Sequence, residues 1–269
     1  MLKLSLCALG IVAASSSFAH DLMIMPAKSI VTKAPADVAV DISASHGVYR
    51  YDKAVSVDGI MVYGPDGKHM RDIGTVVKSA TRTSFDLAIE TDGTYKIVYG
   101  SSRGGYMTTY TIGARDTHKR ERLSKSELAG KIPEGAKNVE TIKMNRYSMA
   151  FITSKMPTDA VITPSNKGFE VIPVTHPADY VNGEEIALKV LMNGKPVEGV
   201  SIAIKSESGI YTGNQEPIKL STNKAGIASV TLEEAGRYSA MFNYEAASQD
   251  PEADKEVNSV FYSFEVVYE

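Results

Sequence analysis

Apolar and polar residues alternate with a period of two along most of this 269-residue chain. "RTSFDLAIETDGTYKIVYGS" contains two such runs around an Asp-Gly, and "GGYMTTYTIG" follows as another. A period of two sends successive side chains to opposite faces of an extended backbone, so these runs predict half-buried strands. "DGIMVYGPDGKHM" reads as a strand closed by a turn, in which Pro65 presets φ and Gly67 accepts a positive φ. "SIVTKAPADVAVDISAS" gives two short runs about Pro35, and predicts a hairpin of residues 27–34 with 38–45.

The alternation lapses near Ala114. "ARDTHKRERLSKSELAGKIPEGAKNVETIKMN" is polar, and its Ser-x-x-Glu helix start is soon ended by Gly130 and Pro133. A partly helical, irregular connection is expected there, leading into a strand at "RYSMAFIT". Strand logic resumes with "GFEVIPVTHPADYVNGEEIALKVLMNGKPVEGVSIAIKS", where Asn193-Gly194 is a strong two-residue hairpin signal. Ala-Gly pairs at 225–226 and 235–236 mark further turns, and "VNSVFYSFEVVYE" is a last strand. The expected fold class is all-β: two Ig-like or prealbumin-like β-sandwich domains joined by an irregular, partly helical insertion. The expected boundaries are a leader at 1–19, an N-terminal sandwich at 20–113, the insertion and connecting strand at 114–160, and a C-terminal sandwich at 161–269.

The leader changes the chemistry. Lys3, the apolar "LSLCALGIVAA" and small residues at Ser17 and Ala19 form an export signal with cleavage after Ala19. The apolar run is shorter than the roughly 20 residues that a membrane-crossing helix requires, so an exported, periplasmic protein without direct membrane insertion is expected. Cys7, the one cysteine, leaves with the signal, so disulfides and thiolate sites are excluded from the mature chain. Loss of Lys3 takes the net charge from −3 to −4. The charges are dispersed, apart from a basic cluster at "RDTHKRERLSK", and no nucleic-acid partner is expected.

"AHDLMIMP", "GPDGK", "SFDLAIETDGTYKI", "GFEVIPVTHPADYVNGEEIALKVLMNGKPVEGVSIAI" and "TNKAGIASVTLEEAGRYSAMF" occur here in that order. Together they resemble a group of exported bacterial proteins usually described as periplasmic components of nickel or cobalt uptake systems, whose domain is catalogued as of unknown function. The likeness is densest from Gly168 to Met241. It implies a two-sandwich protein that handles a divalent transition metal on behalf of a membrane transporter or receptor component. Where many such proteins carry an aromatic residue soon after His-Asp, this chain has "LMIM".

Five histidines follow the signal: His20, His46, His69, His118 and His176. Cleavage after Ala19 makes His20 the terminal residue, which offers its α-amine and ring Nδ1 as a two-tooth chelate. The ordinary α-amine pKa of about 7.7–8.0 makes its deprotonation by a metal inexpensive. One more imidazole gives three nitrogens suited to copper, and a carboxylate or water extends the set for nickel. His46 is the expected second ligand, close to His20 only if the chain bends, because the 27–34/38–45 hairpin sets it opposite Pro26. His118 and His176 are the further candidates, and Asp21, Met23 and Met25 could add oxygen or sulfur. Met23 and Met25 alternate with Leu22 and Ile24, which fits core packing better than ligation.

No G-x-S-x-G, no H-E-x-x-H and no phosphate-binding loop is present, so an enzyme is not expected. Three readings follow. The first is a periplasmic carrier of nickel or cobalt. The second is a metal-independent adaptor presenting the polar 114–145 segment. The third is a copper protein with an N-terminal histidine chelate; an oxidase of that kind usually offers an aromatic-rich face, and this chain has no tryptophan.

Overall fold

The computed structural model describes residues 20–100, 105–214 and 216–268. The segment read as an export signal lies outside the described residues. The strands run in chain order as β1 (Asp21–Pro26), β2 (Ile30–Val31), β3 (Ala36–Ser45), β4 (Lys53–Ala54), β5 (Ile60–Tyr63), β6 (Val77–Lys78), β7 (Thr83–Ile89) and β8 (Gly93–Gly100). Next come β9 (Gly105–Ile112), β10 (Thr117–Glu121), β11 (Lys137–Ser154), β12 (Phe169–Pro173), β13 (Glu185–Met192) and β14 (Lys195–Pro196). The chain closes with β15 (Ser201–Ser206), β16 (Ile218–Ser221), β17 (Ile227–Thr231), β18 (Gly236–Ala247) and β19 (Lys255–Val266). The fold is all-β.

Among the described residues the strands form three sheets. The first has the order β1-β3-β7-β6, with β4 on β3. The second has ten strands along β10-β9-β11-β19-β18-β15-β16; β2 and β8 also join β11, and β5 joins β8. The third is β12-β13-β14, with β17 on β13. Ile24, Val40, Leu87 and Ile97 belong to one hydrophobic core, between the first sheet and the β5-β8-β11 part of the second. Val171, Leu188, Phe242 and Tyr262 belong to another, between the third sheet and the β15-β18-β19 part.

β11 serves both cores. Met149 and Phe151 pack into the second, Ala150 and Ile152 into the first, as the period of two along an extended chain requires. The strand pairs in parallel with β19 from Ile142 to Met149, then antiparallel with β8 from Ala150 to Ser154. Sequence reading starts this strand near Arg146, whereas it begins at Lys137. Its first residues are polar because they pair with β9 at the half-exposed margin of the sheet, where no apolar pattern is needed. The expected helix start is a single 3-10 turn at Lys125–Glu127, and Ser124 and Glu127 close a capping box around it. The basic cluster before it is β10, exposed at every position and a free edge of the large sheet. Charges there discourage a second chain from pairing with the open edge.

The turn signals are realised, yet several join strands of different sheets. Asn193 and Gly194, at φ 51° and 77°, make the expected hairpin between β13 and β14. The Asp-Gly at 92–93 instead carries the chain from β7 in the first sheet to β8 in the second. Gly226 has φ 71°, and a Cβ there would stand 2.6 Å from the Val190 carbonyl oxygen. Gly226→Ala therefore combines backbone strain with a collision against β13, and should cost about 1–3 kcal/mol. The denaturant midpoint should fall at unchanged slope; an unshifted midpoint would show that this turn relaxes freely.

Candidate metal centre

β1 and β3 pair antiparallel with Asp21 opposite Ser45 and Pro26 opposite Val40. Continued by one residue, that ladder sets His20 beside His46, and their ring centroids are 3.9 Å apart at an interplanar angle of 48°. This corrects the expected register. The partner of β3 is residues 21–26, not 27–34, because residues 27–35 leave the first sheet and contribute β2 to the parallel edge of β11. No bend of the chain is required to bring the two imidazoles together.

After β3 the backbone turns through residues 46–52 and returns as β4, with Ala44 opposite Lys53. That return places Asp52 beside His46. Its Oδ2 accepts the His46 backbone N–H at 2.8 Å and lies 2.9 Å from the ring Nδ1. These hydrogen bonds, the backbone one foremost, hold the Asp52 carboxyl below the usual carboxylate range. One donor atom from each of His20, His46 and Asp52 fits within a group whose members all lie within 4.8 Å of one another. His20 is half-buried, while His46 and Asp52 are exposed.

The loop carrying His46 is anchored from below. Tyr49 has φ 53°, an uncommon conformation for a bulky residue, and its backbone N–H donates to the Met23 sulfur at 3.1 Å. Met23, Met25 and Val48 form a small buried cluster beneath it, so the methionines pack as core. The Tyr49 ring lies under the Arg237 guanidinium, 4.5 Å from its centroid, and Arg237 donates two hydrogen bonds of 2.6 Å to Glu207. The site is thus held against β18 of the other half of the chain. His20 is held too, through its carbonyl oxygen, which accepts from Arg146 Nη2 at 2.8 Å. Asp21 lies among these charges: burial raises its pKa, opposed by Lys205, Arg146 and the two histidines. Asp21 and Asp52 thus set two carboxylates beside the two imidazoles, against Arg146 and Lys205.

His118 and His176 do not belong to this donor group. His118 is on the exposed edge strand β10, opposite Thr111. His176 caps a 3-10 turn, its Nδ1 accepting the Ala178 N–H at 3.0 Å while Nε2 lies 3.1 Å from Thr94 Oγ1. One ring nitrogen thus caps the turn and the other ties it to β8. Asp52, absent from the sequence-based candidates, is the residue that the structure adds. Its only sequence signal is a carboxylate six residues beyond His46, and that distance becomes short only when the loop closes as a hairpin.

A family model described as "Domain of unknown function (DUF4198)" matches residues 17–246. A search of curated proteins returns no match. Among solved structures, the D0-D1 domain of Intimin aligns at 12% identity over 91% of this chain and 97% of its own, with a TM-score of 0.22. The FN1-FN3 domains of chicken CNTN1 align at 12% identity over 91% and 98%, with a TM-score of 0.24. Scores this low define no common architecture.

Proposed function

We propose, from the premise that the chain belongs to the DUF4198 family of unknown function, that it is a periplasmic binding protein for a divalent transition metal. One observation carries the reading: His20, His46 and Asp52 bring donor atoms within 4.8 Å of one another at the end of a strand ladder. Nickel or cobalt is the favoured ion, held by the two imidazoles and completed by water, with Asp52 orienting His46. Delivery to a membrane transport system is proposed on the resemblance described above. Each core with its facing sheets is read as one sandwich unit, and the centre sits on the first, buttressed by the second.

Copper is the second reading, and the facing pair of imidazoles favours it. With a free terminal amine on His20, the set becomes three nitrogens, while Asp52 orients His46 from behind. Carboxylate–histidine–metal relays of this kind are common.

The test is calorimetric titration of Ni²⁺, Co²⁺ and Cu²⁺ into protein beginning at His20. Two comparison proteins are needed, His20→Ala and a form with one extra residue before His20. One-to-one binding lost in His20→Ala supports the centre, and loss in the extended form as well assigns a role to the amine. Binding that is absent, or indifferent to both changes, would leave the metal-independent adaptor as the better reading.

A further inference from the structure

A cavity of about 430 Å³ opens between the two halves of the chain, and none of His20, His46 or Asp52 lines it. Its walls include Tyr63 of β5, Lys96 of β8, Tyr147 of β11, and Ser165, Phe169 and Glu170 from the start of the second half. Its size falls in the range of small-molecule sites, about 300–1,000 Å³.

The walls are fixed. Tyr147 donates its hydroxyl to the Phe169 carbonyl oxygen at 3.2 Å, which ties the phenol down and leaves ring surface toward the cavity. Phe169 stacks on Tyr244 with ring planes 5° apart. Glu170 Oε1 is taken by the backbone N–H and hydroxyl of Ser165, at 2.9 and 2.8 Å. Its Oε2 is enclosed and makes no hydrogen bond among the described residues.

Lys96 is the exception in this wall. It projects from the position opposite Phe151 in the β8–β11 ladder, and its ammonium lies 5.8 Å from the centroid of that ring. Among the described residues it makes no hydrogen bond or ion pair, Glu170 included. Burial pushes its pKa below the ordinary lysine range, and the charge of Glu170 opposes that shift. Lys96 is half-buried, and its ammonium borders the cavity with no acceptor among the described residues, so a ligand there can supply one. Lys167 also borders the cavity, so cations outnumber the single carboxylate on its walls.

We propose that this cavity binds a small organic carboxylate with an aromatic or branched apolar body. The carboxylate accepts from Lys96 Nζ, and the body lies against Tyr63, Tyr147 and Phe169. The proposal is independent of the metal reading, because the two sites share no residue.

Benzoate and its neutral isostere benzamide are the probes, titrated into the exported chain by calorimetry and ligand-observed NMR. Saturable one-to-one binding of benzoate is expected with a Kd below about 1 mM, at least tenfold tighter than benzamide. Lys96→Met, which keeps the apolar stem and removes the charge, should weaken benzoate at least tenfold and leave benzamide unaffected. Should that variant fail to fold, acylation mapped by mass spectrometry replaces it: benzoate must protect Lys96 selectively among the lysines. The proposal is overturned by the absence of saturable benzoate binding or by equal affinity for benzamide. Unchanged benzoate binding in a folded Lys96→Met protein, or no protection of Lys96, overturns it equally.

Discussion

Truncation of Phe151 to alanine should lower the unfolding free energy by about 3–5 kcal/mol, and Ile152→Ala by about 2–5 kcal/mol. Both should shift one shared transition. The two side chains are sequence neighbours on β11 but fill different cores, Phe151 beside the Tyr262 ring at 5.7 Å and Ile152 in the cluster with Ile97 and Leu87. Each truncation leaves a void in a close-packed interior as well as losing buried apolar area. β11 pairs with β19 at one end and β8 at the other, so neither half can release it without dismantling the large sheet. Denaturant unfolding followed by far-ultraviolet and tyrosine near-ultraviolet circular dichroism measures this. If each variant displaced a separate transition, the halves would be unfolding independently, and the shared strand would not couple them.

His46→Ala should weaken metal binding at least a hundredfold, whereas Asp52→Asn should weaken it by about 10–100-fold. The difference follows from what each group does. His46 presents the only other imidazole in the donor group. Asp52 receives both the backbone N–H and the ring Nδ1 of His46, so it holds the proton on Nδ1 and directs the Nε2 lone pair outward. Asparagine still accepts the backbone N–H and preserves the loop, while the charge is lost. The pH profile separates the contributions. Because the Asp52 pKa is lowered, its carboxylate contribution is complete above the ordinary value of 3.8 and is lost only as pH falls through the depressed one. Any decline of binding between neutral pH and about pH 5 is therefore not a loss of the Asp52 charge, and Asp52→Asn should still show it, at lower affinity. An Asp52→Asn protein as defective as His46→Ala would put Asp52 in direct contact with the ion. Unimpaired binding in His46→Ala would remove the centre from the function.

The centre was half legible in the sequence. His20 stands out by its position after a segment that reads as an export signal, and His46 by the extended runs on either side of Pro35. What could not be read was the register: pairing β3 with residues 27–34 sets His46 opposite Pro26, whereas the actual ladder sets it beside His20. The choice is made when residues 30–31 are captured by β11, more than a hundred positions away. Asp52 was invisible for a related reason, since its approach to His46 depends on the return of β4 onto β3.

Local chemistry determined the strands, the Asn193-Gly194 hairpin, the capping box at Ser124 and the all-β class, because side-chain alternation and turn conformations are properties of a few adjacent residues. Tertiary structure decided which strands share a sheet, that β11 is one wall of two cores, that Asp52 joins His20 and His46, and that Lys96 faces a cavity. These outcomes depend on contacts between distant segments. A period-two pattern states only that a strand has a buried face, and the partner that buries it is selected by the packing of the whole chain.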